Sequence, residues 1–213
     1  MPTKKLSPEE KLVTTALSTI EKTGWKTLSL IALARKAKIP PATLYEICPD
    51  KRALLALIAK RVDLAMLDRA EQPDTDIPPR DRAFDAIIGC FEGMGPLKPV
   101  IQVIHDDSAG DPGAFLDVLP VTIRSANWIA DIAGLPTSGW QGLLITRGVG
   151  VLLAETLGIW LKDGEDMAKT MAHVDRRLRM IEEWTQALQR RAGDGDEAEE
   201  EAEEENGERA AAD

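Results

Sequence analysis

Cysteine is nearly absent. Cys48 and Cys90 are the only two in 213 residues, too few and too far apart for a disulfide framework or a zinc site. Histidine is equally scarce, with His105 and His173 alone. The run His105-Asp106-Asp107 offers metal-ligand chemistry, but three adjacent residues of a regular helix cannot all converge on one ion. P-loop, GxGxxG, GxSxG and HExxH patterns are missing. No segment sustains the period-2 alternation of a half-buried strand, so the chain reads as all-α. The N-terminal MPTKKLSPEEK is charged and carries no apolar h-region. These absences point away from a disulfide-stapled secreted protein, a metalloprotein and the common nucleotide or hydrolase chemistries. The expectation is a cytoplasmic protein, not an enzyme, with no cofactor.

Charge is plentiful but unevenly placed. The net −10 arises in the last 21 residues, 193–213, which hold eleven acids and one arginine. Residues 1–60 hold eleven bases against five acids, so 61–192 carry the balancing −6. A basic head on an acidic body suits a module that meets a polyanion and a second part that controls it. The tail 192–213 is low in complexity and acidic, and is expected to be disordered.

Capping signals divide the first seventy residues into four helices. Ser7-Pro8-Glu9-Glu10 is a capping box with proline at the first helical position. Val13, Ala16, Leu17 and Ile20 give that helix an apolar face, and Gly24 stops it. Ser29 caps a second helix that turns Leu30, Leu33, Ala34 and Ala37 inward. Pro40-Pro41 ends it and starts a third, only about seven residues long, anchored by Leu44 and Ile47. Pro49 breaks the third, and Asp50 caps a fourth running from Lys51 to about residue 71, with Leu54, Leu55, Ile58 and Val62 as its stripe.

A support helix, a sharp turn and a short recognition helix make a helix-turn-helix. Thr43 can offer a hydroxyl to phosphate and a methyl to thymine. Tyr45 and Lys51 can reach phosphates, helped by the free N–H groups that start the fourth helix. Lys26, Arg35, Lys36 and Lys38 extend the positive field.

A proline-rich linker, 72–80, precedes further helical patterns over 81–93, 97–106, 113–133, 138–162 and 166–191. Asp163, Glu165 and Asp166 read as a helix-start cluster. Segment 140–161 is apolar enough in length to span a bilayer, but Arg147 and Glu155 would each cost several kcal/mol near its centre. A buried bundle helix is expected instead, its five glycines between 139 and 158 allowing close packing, with a second subunit as a further neighbour. Trp128, Trp140, Trp160 and Trp184 suit a core, and the first three are candidates for lining an apolar cavity.

Residues 10–57 resemble the N-terminal domain of the TetR family of transcriptional regulators. The likeness lies in Ala16, Gly24, Leu33-Ala34, Ala37, Ile39, Ala42-Thr43-Leu44-Tyr45 and Lys51-Arg52-Ala53-Leu54-Leu55. It implies an all-α protein with a helix-turn-helix domain at 1–50, a connecting helix at 51–71 and a ligand-binding and dimerising bundle at 81–191. It also implies a homodimer on operator DNA, released by a small hydrophobic effector, most often as a repressor. The DNA-binding set would be Lys26, Ser29, Pro41, Ala42, Thr43, Tyr45 and Lys51. Six positions depart from the family pattern: Lys38 for glycine, Pro40 for Ser or Thr, Cys48 for an aromatic, Glu46 where a base is common, and Ile31 and Ala32 where polar or charged residues are common.

Residues 160–178 resemble a different group, the TetR-like lipid-binding accessory proteins of ubiquinone biosynthesis. Trp160-x-x-Asp163, Thr170 and Asp175-Arg176-Arg177-Leu178 carry that likeness. It implies the same fold with an isoprenoid lipid, not DNA, as the partner.

Overall fold

A computed structural model describes residues 6–69 and 76–183. The tail 192–213, Trp184 and part of the linker lie outside the described residues. Helices account for nearly every described element, and no strand occurs among them. In order they are α1 (Pro8–Thr23), α2 (Leu30–Ala37), α3 (Pro41–Ile47), α4 (Lys51–Arg69), α5 (Pro79–Met94), α6 (Lys98–Ser108), α7 (Pro112–Ile132), α8 (Gly139–Trp160) and a last helix, α9, over 168–183. The expected break between α5 and α6 is only a 3-10 turn, Gly95–Leu97, so the two run on almost without interruption.

The caps form as their residue types require. The Glu10 N–H donates to Ser7 Oγ at 3.1 Å, and the Ser7 N–H donates back to Glu10 Oε2 at 2.7 Å. Asp50 accepts from the Ala53 N–H at 2.7 Å, which starts α4. Cys48 and Cys90 are both buried and unpaired. Burial, aided by the Asp50 carboxylate, pushes the Cys48 thiol up to about 11. Burial, aided by Asp63, pushes Cys90 up to about 12, so both stay protonated at neutral pH.

Two clusters of buried side chains organise the molecule. The first joins α1–α3 to the front of α4 through Leu12, Ile20, Leu33, Leu44 and Leu54. Val100 and Ile104 of α6 enter that same cluster. The second lies among α4, α5, α7, α8 and α9, around Ile87, Phe91, Ile129, Leu152, Trp160 and Val174. Helix α4 serves both, giving Leu54, Leu55 and Ile58 to the first and Val62 and Met66 to the second. A buried polar tie fixes α4 to α7. Asp63, 5% exposed, accepts from Ser125 Oγ at 2.6 Å and from Arg124 Nε at 3.0 Å.

Helix α8 passes a length-and-composition test for crossing a membrane, as does 79–108. Helices α5 and α8 pack within the bundle and α6 packs on the head cluster, and α8 buries Val149, Leu152, Leu153 and Trp160 on one side. The glycines do less there than expected. Gly150 does pack closely, since an added Cβ would stand 3.1 Å from Ile123 Cδ1 of α7. Gly148 and Gly158 face open space.

The α2–α3 connection is a Schellman motif. The Ile39 N–H reaches the Ala34 carbonyl at 2.9 Å, and the Lys38 N–H reaches that of Arg35 at 3.2 Å. This requires a left-handed residue at 38, and Lys38 adopts φ 56°, ψ 44°. A side chain with a Cβ costs about 1–2 kcal/mol in that conformation. Lys38→Gly is therefore expected to raise stability by roughly 0.5–1 kcal/mol, after allowing for the looser unfolded chain. Urea unfolding checks it: the midpoint should rise with the slope unchanged.

Candidate nucleic-acid interface

Helix α3 turns Leu44 into the core, with Cys48 buried just after it, and leaves Pro41, Ala42, Tyr45 and Glu46 outside. Tyr45 is 72% exposed, although an aromatic ring is usually kept from water. Thr43 is half-buried beside it. Lys26, Arg35, Lys36 and Lys38 are all exposed, and none has an ion pair among the described residues. Lys36 instead donates to Thr19 Oγ1 at 2.8 Å. Ser29 caps α2 through the Ala32 N–H, at 3.4 Å. The seven residues expected to meet DNA thus lie on the α2–α3 motif and the segments that flank it.

Lys51 has a more specific place than its sequence suggested. Its ammonium donates to the carbonyls of Trp25 and Lys26, each at 3.1 Å. It also stands 5.4 Å from the centre of the Trp25 ring. One N–H of the three remains for another acceptor.

Across the same short connection sits Asp107 of α6. Its Oδ2 accepts from the Trp25 N–H at 2.6 Å and the Lys26 N–H at 3.1 Å. Gly24 makes room, because a Cβ there would stand 3.0 Å from that oxygen, and its φ of 86° favours glycine independently. In sequence Asp107 is one of three adjacent polar residues with His105 and Asp106. Those neighbours are engaged elsewhere: Asp106 accepts from Gln102 Nε2 at 2.8 Å. The sequence carries no signal for the Asp107 contact, which joins residues more than eighty apart.

The tryptophan cavity does not assemble from its proposed members. Trp140 is 70% exposed at one end of α8, and Trp160 is 2% exposed at the other, about 30 Å away along the helix. Trp160 packs on Phe91 with ring centres 5.7 Å apart and lies under Lys98. Trp128 is 42% exposed on α7. An open groove of about 320 Å³ lies elsewhere, between α4 and α7, and is lined by Arg52, Ala56, Asp117, Val121 and Arg124.

The C-terminal signature has structural employment. Asp163 accepts from the Thr170 N–H at 2.7 Å and its hydroxyl at 2.8 Å, which ties the α8–α9 turn together. Asp175 pairs with Arg80 of α5 and with Arg179 one turn on. Arg177 pairs with Glu155 of α8 at 2.6 Å, and Leu178 is in the core.

The arrangement is a helix-turn-helix head packed on a helical body. Among solved structures the chain is similar to the TetR transcriptional regulator from Nitrosomonas europaea ATCC 19718, at 17% identity and TM-score 0.61, over 81% of this chain and 96% of that one. It is also similar to a TetR transcriptional regulator from Rhodococcus sp. RHA1, at 13% identity and TM-score 0.59, over 82% and 94%. No protein-family model and no curated protein matches the sequence. The chain has the all-α fold of the TetR-family regulators.

Removing Asp107 leaves two backbone donors short of their acceptor, a loss of about 1–3 kcal/mol for a part-buried site. Asp107→Ala should lower the urea midpoint accordingly and speed amide exchange at Trp25 and Lys26. Asp107→Asn, which keeps an acceptor, should retain most of the protection.

Proposed function

We propose that this protein is a DNA-binding transcriptional regulator that acts as a homodimer and represses by occupying its operator. The head, residues 1–50, enters the major groove with α3. Helix α4, within 51–71, joins it to a body over 81–191 that binds a small hydrophobic effector. The observation that carries the reading is the outward face of α3. Tyr45 stands 72% exposed there, and Lys26, Arg35 and Lys38 of the same head are exposed cations with no ion pair among the described residues. Such groups position a protein on phosphates.

Dimerisation is supported by the outer side of α8. Trp140, Leu143, Leu144 and Val151 are all more than half exposed there, an apolar face interrupted by the exposed Arg147, of the kind a second subunit covers. A two-fold pair of heads would meet two half-sites one helical turn apart, about 34–36 Å. Regulation follows from linkage. An effector that binds better to one placement of α6 shifts the heads, because α6 holds the α1–α2 connection through Asp107. Couplings of this kind are typically about 1–3 kcal/mol. The lipid-binding alternative gains less support, since each element of its signature has a packing or turn-holding role here.

Fluorescence anisotropy of the full chain on duplex DNA tests this. Binding should be firm at low salt and fall linearly in log K against log salt. Tyr45→Ala should weaken it about tenfold, the loss of one phosphate contact. Lys26→Ala should lower the salt slope by about one, and by the same amount on any sequence. Lys51→Ala is the poorer probe, because it also releases the carbonyls of residues 25 and 26. A wild-type chain that leaves duplex DNA free at low salt overturns the proposal.

A further inference from the structure

Glu46 is an anomaly on a surface meant for a polyanion. It lies exposed on α3, one turn beyond Ala42 and on the same side. The helix, PATLYEI, carries no base to balance it. Of the other acids of the head, Glu21 is exposed on α1 rather than on the recognition helix, and the remaining three are occupied. Glu9 pairs with Lys60 at 3.1 Å, Glu10 closes the α1 capping box, and Asp50 caps α4. Glu46 has no ion pair among the described residues, and its carboxylate faces outward with Tyr45.

A carboxylate can only accept hydrogen bonds. That restricts what it can meet in a major groove. Guanine offers two acceptors, and thymine an acceptor and a methyl. Adenine offers a donor beside an acceptor, which would repel one carboxylate oxygen as the other bonds. Cytosine alone presents its N4 amino donor with no acceptor of its own alongside. The remainder of α3 supplies no Arg, Lys, Asn or Gln, so the bidentate contacts that usually select guanine or adenine are missing from this helix.

We infer that Glu46 is a specificity-determining residue that reads a cytosine in each half-site by accepting from its N4 amino group. This rests on the DNA-binding reading above. It explains why an acid is placed where charge alone argues against one. The carboxylate lowers affinity for every sequence through repulsion and restores it only where a cytosine donor meets it. That is discrimination by an element unfavourable to wrong partners.

Selection from a random duplex pool by the full wild-type chain and by Glu46→Ala, at one low salt concentration, tests it. Wild type should enrich cytosine at one fixed position of each half-site. Glu46→Ala should lose that preference, roughly ten- to a hundredfold, and keep the preferences at other positions. It should also hold unselected duplex more tightly than wild type does. If the variant binds all sequences more tightly and keeps every positional preference, Glu46 only repels phosphate and the inference fails. If it keeps its unselected affinity and its preferences alike, the residue does not face the DNA, and the inference fails again. Wild type that retains duplex but enriches no cytosine overturns this inference alone. Wild type that retains no duplex overturns the DNA-binding reading and this inference with it.

Discussion

Trp25 and Lys26 present their N–H groups to Asp107 and their carbonyls to Lys51. The six-residue connection between α1 and α2 is thereby gripped at Trp25 and Lys26 along both backbone edges, from α6 on one side and from α4 on the other. The position of α2, and through the Schellman turn that of α3, follows from this grip. Its geometry needs Gly24, which gives both the positive φ and the space for Asp107. Ionic contacts farther out matter less. Arg52 and Asp117 also join head to body, but the arginine is more than half exposed, and water and salt weaken such a pair. Val100 and Ile104 reinforce the grip from the apolar side, each worth roughly 1.5–3 kcal/mol when fully buried.

The body is built to hold one arrangement. Asp63 is buried, yet both its oxygens have partners on α7, so α4 and α7 cannot slide without stranding a charge. Asp163 and Thr170 lock the α8–α9 turn, and Arg80 ties α5 to α9 through Asp175. A body of this kind moves as packed units, and it meets the head through α4, α6 and the Asp117–Val121 stretch of α7.

Local chemistry made the head legible in advance. Ser7, Ser29, Pro41 and Asp50 announce helix starts because a cap needs only neighbours in sequence. The apolar stripes of α1, α2 and α4 follow from the 3.6-residue period, and their members are buried as expected except Leu17 and Leu30, which are half-buried. The departure at Lys38 gained its meaning only with the backbone in view, since the left-handed conformation explains why glycine is usual there. What stayed hidden depends on distant pairing. Asp107 looked like one of three surface polar residues, and Lys51 like a bare cation. Composition groups the tryptophans, whereas α8 places Trp140 and Trp160 at opposite ends. The glycines of α8 suggested one packing face, but they divide between contact and open space.

The central claim is that this head, with its acidic and atypical α3, still reads DNA as a two-fold pair. The most direct measurement is capture of sheared genomic DNA by the purified full chain, followed by sequencing of what is retained. The account predicts a small set of enriched fragments that share an inverted repeat, with half-site centres about 10–10.5 base pairs, or a multiple, apart. Retention of no fragments above background, with an isoprenoid lipid found in the purified protein by native mass spectrometry, would contradict it.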